Sequence, residues 1–396
     1  QCLGGVPVPL YQDAVAAEML FVLQDAGIRF AVVEDQEQVD KMLEVMGEVP
    51  SLEHIVYDDP RGMRHYTQTF LHDIHELMEM GRIHDRNHSD FLNAEVAQGH
   101  FDDVSVMLYT SGTTGKPKGV CQTHASFIAA AQGGVQVDHL DADGDILSYL
   151  PMAWVGDHLF SYAQALVAGF TINCPESGET VMTDLREIGP TCYFAPPRVF
   201  ESLLTSVMIR MEDAGKLKQQ MFHHFMAVAK RCGADILDGK SVDFGDRLQY
   251  ALGDLLVYGP LRNVLGMSRI RAAYTAGAAI GPDLFKFYRS IGINLKQFYG
   301  QTETCAYVCM QPDGAIKFDS VGQPAPGVEI KIADNGEVLV KGPMLLKEYY
   351  KRPDATAESL NADGYFMTGD AGFLDEDGHL KIIDRAKDVG KLSNGA

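Results

Sequence analysis

The residues with the plainest chemistry lie together in the run Tyr109-Thr110-Ser111-Gly112-Thr113-Thr114-Gly115-Lys116-Pro117-Lys118-Gly119. Three glycines permit positive φ and close approach of the backbone. The hydroxyls of Thr110, Ser111, Thr113 and Thr114, with exposed backbone N–H groups, can cradle phosphate oxygens, and two lysines add charge. The residues before the run read as a strand and those from His124 as a helix. That predicts a strand-to-helix turn, where nucleotides sit in open α/β sheets. A P-loop needs four residues between its glycines and a Lys followed by Ser or Thr. Here two residues separate Gly112 from Gly115, and Lys116 precedes Pro117.

Other constellations are weaker. Cys305 and Cys309 lie four apart with no second pair to complete a metal site. The seven cysteines are scattered and read as reduced, buried thiols of a cytoplasmic protein. His72, His75, His84, His88 and His100 cluster in sequence, but they read better as solvated helix faces and loops than as a tetrahedral zinc set. Asp375-Glu376-Asp377-Gly378 lacks the third acid and closing Glu of a calcium loop, so it reads as a hairpin turn.

Positioning such residues requires a sizeable scaffold, and the 396 residues allow two or three packed layers. Helical spacing runs through Asp13–Ala26, Gln36–Met46, 124–133, 157–169 and 282–291. Strands are expected at 28–33 (buried), 55–57, 102–109, 146–150, 170–174, 191–194, 269–275 and 294–299. This alternation predicts an α/β fold of mostly parallel, helix-covered sheets. Residues 198–264 read as mostly helical. Beyond Gly314 short alternating segments at 329–332, 337–341 and 379–383 predict a small β-subdomain, about 315–383.

Hydrophobic residues make up 46% and charged residues 22%, an ordinary globular composition. The net charge of −21, with no basic stripe, argues against a nucleic-acid partner. No run of about eighteen apolar residues suggests a membrane span. Peripheral membrane contact through a local apolar patch stays open, as does the oligomeric state.

Several further motifs follow in order: Leu150-Pro151-Met152-Ala153-Trp154-Val155-Gly156, Ala272 to Ile280, Tyr299-Gly300-Gln301-Thr302-Glu303-Thr304, Tyr365-Phe366-Met367-Thr368-Gly369-Asp370 and Ile383-Asp384-Arg385-Ala386-Lys387-Asp388. With the phosphate run, this series resembles the adenylate-forming superfamily of acyl–CoA synthetases, luciferases and adenylation domains. The resemblance runs from about Val104 to the end, and Gly4 to Val33 is similar to the family's first helix–strand unit.

The resemblance implies two half-reactions. A carboxylate attacks the α-phosphate of ATP to give acyl-adenylate and pyrophosphate, and the thiol of CoA then displaces AMP. By the same analogy Tyr299 stacks on adenine beside Gly277, Ala278 and Ala279. Thr302 bonds phosphate, and Gly300 and Gln301 complete its motif. Asp370 accepts both ribose hydroxyls, and Arg385 contacts ribose or phosphate. Glu303 holds Mg²⁺ with Thr110 as second ligand, and Lys118 with the loop amides holds pyrophosphate. Trp154 and Gly156 line the acyl pocket, although Trp154 also reads as a core tryptophan.

Lys387 is then a hinge, with residues 384–396 opening a small C-terminal domain that the chain lacks. The start of a usual member is also absent, so residues 1–383 form a large domain incomplete at its start. A chain of this extent is expected to bind nucleotide better than it turns over. The long helical stretch 198–264 and the closing run Asp384 to Gly395 are similar to long-chain fatty acyl–CoA synthetases. Medium-chain or aromatic acids, a non-catalytic nucleotide-binding homologue and a luciferase-like oxidase are the alternatives.

Overall fold

The structure, a computed structural model, describes residues 1–110 and 116–392. The chain divides into two compact units. The first comprises residues 1–124, 151–153 and 346–356, and the second comprises 125–150, 154–345 and 357–396.

In the first unit, β1 (Phe30–Val33), β2 (His54–Tyr57) and β3 (Leu71–Asp73) form a parallel sheet. The helices Ala16–Ala26 and Gln36–Met46 bury Met19, Leu23, Val39 and Met42 against Ile55. Apolar side chains at intervals of three and four give each helix the single stripe it buries. Asp35 caps the second helix, its carboxylate accepting from the Gln38 N–H at 3.1 Å. β1 departs from expectation: it lies at the sheet edge, and Phe30 and Val32 are exposed. Its continuous apolar run suggested burial on both faces, but only Ala31 and Val33 pack on the core.

A second sheet of this unit joins β4 (Val104–Thr110), β5 (Lys118–Thr123) and β15 (Glu348–Tyr349), all antiparallel. β4 and β5 pair antiparallel, with Thr110 opposite Lys118. The helix begins only at His124. The strand-to-helix expectation fails because β5, with a glycine and three polar or charged residues among six, is too short and mixed to show a period.

The second unit is built on a seven-stranded sheet. Its order is β12 (Gln323–Pro324), β11 (Cys309–Met310), β10 (Leu295–Tyr299), β9 (Ala272–Thr275), β8 (Cys192–Phe194), β6 (Asp145–Leu147) and β7 (Thr171–Asn173). The five strands β6 to β10 pair in parallel, and β11 and β12 antiparallel. β8 and β9 are buried throughout, which explains their unbroken apolar runs. The expected helical stretch comprises Pro197–Glu212, Lys216–Leu237, Phe244–Gly253 and the turns up to Val264. It packs Phe200, Phe225 and Tyr258 into one core with Tyr193 and with Tyr288 of the helix Pro282–Ser290.

Beneath β10 lies a buried charge pair. The Lys296 ammonium is fully buried and meets Asp138 and Asp313 at 2.7 Å each, and the Asp138 side chain is 1% exposed. The second Asp138 oxygen has no partner.

Residues 315–383 contain an antiparallel sheet in the order β13 (Glu329–Ile332), β14 (Glu337–Lys341), β16 (Phe366–Leu374) and β17 (Leu380–Arg385). Part of the stretch lies elsewhere: β12 joins the large sheet and β15 the first unit. Asp375–Gly378 is the turn between β16 and β17, as its sequence predicts. The Asp375 carboxylate accepts from the Asp377 and His379 N–H groups, and Lys317 bridges Asp375 and Asp377 at 2.7 Å each.

Lys317, with those N–H groups, holds the Asp375 carboxyl down at about 2 from an ordinary 3.8. A carboxylate with a depressed folded value stabilises above its unfolded value and ceases to as pH falls through the folded one. An Asp375→Asn variant should therefore unfold earlier than the parent at pH 5, with the gap closing between pH 4 and about pH 2. Denaturant midpoints across that range check this; a constant gap would contradict it.

Five cysteines are buried as expected, but Cys2 and Cys174 are exposed, lying at the chain start and just past an edge strand. Among the described residues no three His, Cys, Asp or Glu side chains converge on a metal position. His54 and His72 contact one another at 2.9 Å, and His84 stacks on His88. No described helix is long and apolar enough to cross a membrane.

Candidate functional site

In the second unit, β10 delivers Tyr299 to its C-terminal end, where the chain turns sharply. Gly300 leaves no room for a side chain, since a Cβ there would lie 2.1 Å from the Ala306 carbonyl carbon. The turn closes through Gln301 N–H to Thr304 Oγ1 at 2.9 Å and Ala306 N–H to Gln301 O at 2.9 Å. Cys305 and Ala306 both take positive φ, 50° and 57°. Two consecutive non-glycine residues in that region store strain of the kind found where a loop is held for function. Thr302 and Glu303 sit half-buried on this turn.

The Tyr299 hydroxyl donates to Asp370 Oδ2 at 2.6 Å. The Gln301 carboxamide donates to the same oxygen at 2.8 Å and to Thr368 O at 2.9 Å. Arg385 meets Asp370 Oδ1 at 3.0 Å. Thus Tyr299, Gln301, Asp370 and Arg385, far apart in sequence, form one polar cluster. Burial first, then the Asp370 charge, pushes the Tyr299 hydroxyl well above its ordinary value. It therefore stays a neutral donor at working pH.

The sheet aims Asp370 by a bulge. Asp370 pairs with Arg385 and Ala371 with Asp384, but Gly372 pairs with Ile382, so Ile383 is left over. Bulges of this type bend a strand and redirect the adjacent side chain. With two donors on Oδ2 and one on Oδ1, about one lone pair of the roughly four remains. Two incoming hydroxyls would have to displace a protein donor. The most accessible is Arg385, whose side chain is 49% exposed.

After β9, Gly277 takes φ of +86° with open space where a Cβ would stand. Ala278 and Ala279 are exposed there. Lys387 is exposed on the helix Ala386–Leu392 that follows β17 directly.

Trp154 lines a cavity of about 610 Å³ with Met182, Leu203, Val207, Val264 and Leu265. The tryptophan is 37% exposed, so it is a cavity wall and not a core residue. Gly156 is not brought to this cavity; a Cβ there would meet the Phe194 ring at 3.0 Å.

In the first unit, Thr110 closes β4 and Lys118 opens β5. The Lys118 ammonium lies over the Tyr349 ring, 5.0 Å from its centroid. The Tyr109 hydroxyl donates to Asp25 Oδ2 at 2.7 Å. Ser111, Gly112, Thr113, Thr114 and Gly115 lie outside the described residues. Tyr349 and Asp25 were not foreseen. Both stand in ordinary amphipathic segments, and only the strand pairing of distant β15 with β5 reveals them.

The AMP-binding enzyme family model matches residues 2–350. The chain is 32% identical over 395 residues to the long-chain-fatty-acid–CoA ligase FadD15 of Mycobacterium bovis, covering 98% of this chain and 62% of that protein. Peroxisomal long chain acyl-CoA synthetase 7 of Arabidopsis thaliana is 29% identical, with 98% and 56% covered. ATP-bound MatB of Rhodopseudomonas palustris shares the fold with a TM-score of 0.66 at 20% identity, covering 97% of this chain and 64% of that one. The chain spans less than two thirds of the length of each of these proteins. With a family match over residues 2–350, most of its length, the chain belongs to the AMP-binding enzymes.

Proposed function

We propose that this chain activates a long-chain fatty acid with ATP, as the adenylating part of an acyl–CoA ligase. The acid's carboxylate oxygen bonds to the α-phosphorus while the bridge to the β-phosphate breaks, releasing pyrophosphate. The CoA sulfur then bonds to the acyl carbon, and AMP leaves with the oxygen that joined them. The observation that supports this reading most is the cluster at Asp370: a carboxylate fixed by a bulge and by three donors, ready to exchange one for a ribose diol.

Tyr299 offers its ring to adenine and its hydroxyl to Asp370, so one residue orients both parts of the nucleoside. Ala278 and Ala279 leave space for a flat base. Thr302 and the Lys118 ammonium are the groups for the phosphates. Charge accumulates on phosphate oxygens in the first step, so fixed donors lower that barrier. Glu303 is a hard oxygen donor that fits Mg²⁺, which takes one or two carboxylates and completes its shell with phosphate and water oxygens. When bound, the ion would neutralise phosphate charge. Lys387, on the helix after β17, is the hinge residue of this reading.

The acyl chain is assigned to the Trp154 cavity, whose volume suits a ligand of this size. Ser206 lines it. A Ser206→Trp variant should lose palmitoyl-adenosine sulfamate affinity at least tenfold and keep acetyl-adenosine sulfamate within twofold, by calorimetry. Equal losses, or none, would remove the cavity from acyl recognition.

A further inference from the structure

Tyr349 approaches Lys118 from a distant part of the chain, and its ring is held firmly. Its strand pairs with β5, placing Tyr349 opposite Val120. The ladder continues through Lys347 N–H to Cys121 O at 2.9 Å and Tyr350 N–H to Gly119 O at 2.8 Å. The Tyr349 N–H donates to Thr356 Oγ1 at 3.0 Å. Just beyond, Arg352 meets Asp25 Oδ1 at 3.0 Å and Lys351 donates to Asp25 O at 2.7 Å. The same Asp25 carboxylate accepts the Tyr109 hydroxyl at the end of β4. Tyr349 is consequently only 7% exposed and cannot shift without breaking this bracing.

A lysine side chain loses rotamer freedom when its ammonium is ordered. Ordering it only when phosphate arrives would charge that cost to binding. An ammonium held over an aromatic face is attracted to the ring quadrupole, so the cost is met before the ligand comes. We propose that Tyr349 is a positioning residue for Lys118, its ring face holding the ammonium in place for the β- and γ-phosphates of ATP. This rests on the reading of Lys118 as the phosphate lysine. The ring face carries this effect, so phenylalanine should hold Lys118 as tyrosine does and leucine should not.

Calorimetric titration of the chain with ATP and with AMP tests this, using Tyr349→Phe, Tyr349→Leu, Lys118→Met and the Lys118→Met/Tyr349→Leu pair. The leucine variant should bind ATP about three- to tenfold more weakly, as a lost cation–π contact predicts. The phenylalanine variant should stay within twofold. AMP affinity should hold in both, which also reports that the variants fold. In the Lys118→Met background the leucine change should add nothing. Independent, additive losses in the double variant would overturn the proposal, as would a parallel fall in AMP affinity or a phenylalanine variant as weak as leucine. If Lys118→Met binds ATP as tightly as the parent, the assignment of Lys118 itself is wrong and the proposal falls with it.

Discussion

An Asp370→Ala variant is expected to bind AMP about 30- to 100-fold more weakly than the parent. Hydrogen bonds to a charged acceptor contribute about 1.5–3 kcal/mol each. Part of the loss is offset because the diol must displace a donor already in place, Arg385 by exposure. A net change of about 2–3 kcal/mol corresponds to the stated range. The control is 2′,3′-dideoxy-AMP, which offers Asp370 no hydroxyl. Its affinity should differ less than threefold between parent and variant. A loss equal for both nucleotides would mean that alanine disturbs Tyr299 and Gln301, which share the carboxylate, and that Asp370 does not read the ribose.

The second large effect is on stability. Lys296→Met should lower the stability of the second unit by about 3–5 kcal/mol, because it leaves Asp138 charged, buried and alone. Burial already pushes the Asp138 carboxyl up against the pull of Lys296. Replacing both partners, Lys296→Met with Asp138→Leu, should recover most of the loss, since a well-packed apolar pair removes two desolvation costs together. Urea unfolding of the parent, single and double variants checks this. A single variant as stable as the parent would show that the pair is solvated in solution. Lys296 sits on the strand that ends in Tyr299, so the single variant should also weaken nucleotide binding.

Much of this architecture is visible in the sequence, for identifiable reasons. The strands 329–332 and 337–341 and the helix Gln36–Met46 were placed to the residue. Each pairs a clear period with a glycine or an acidic cap at its edge. The parallel strands β8 and β9 are legible because burial on both faces leaves mostly apolar residues, Thr275 excepted. β16, the longest of the described strands at nine residues, shows in the sequence only as a motif. Its Thr-Gly-Asp-Ala-Gly centre breaks the alternation, because β16 there carries extra residues against β14, with Gly369 at φ of 72° just before Asp370.

The site residues stood out by type, but their partnerships did not. Composition cannot tell that Tyr299 donates to Asp370, because that contact depends on two sheets meeting within the second unit. The run Thr110 to Gly119 stands out by its glycines and hydroxyls, but its setting does not. A hairpin and a strand-to-helix turn ask for the same flexible residues, and only the pairing of Thr110 with Lys118 separates them. Trp154 and Gly156 are two residues apart and were assigned together. A helix begins between them and turns Gly156 toward Phe194, away from the cavity.

The most direct test of the central claim is calorimetric titration of this chain with palmitoyl- and acetyl-adenosine sulfamate, stable mimics of the acyl-adenylate. Both present the adenosine that Tyr299 and Asp370 are proposed to hold, and they differ only in the acyl chain. The account predicts that both bind, that palmitoyl binds at least tenfold tighter, and that Asp370→Ala weakens both. Equal affinity for the two would contradict long-chain recognition, and binding of neither would contradict adenylate recognition itself.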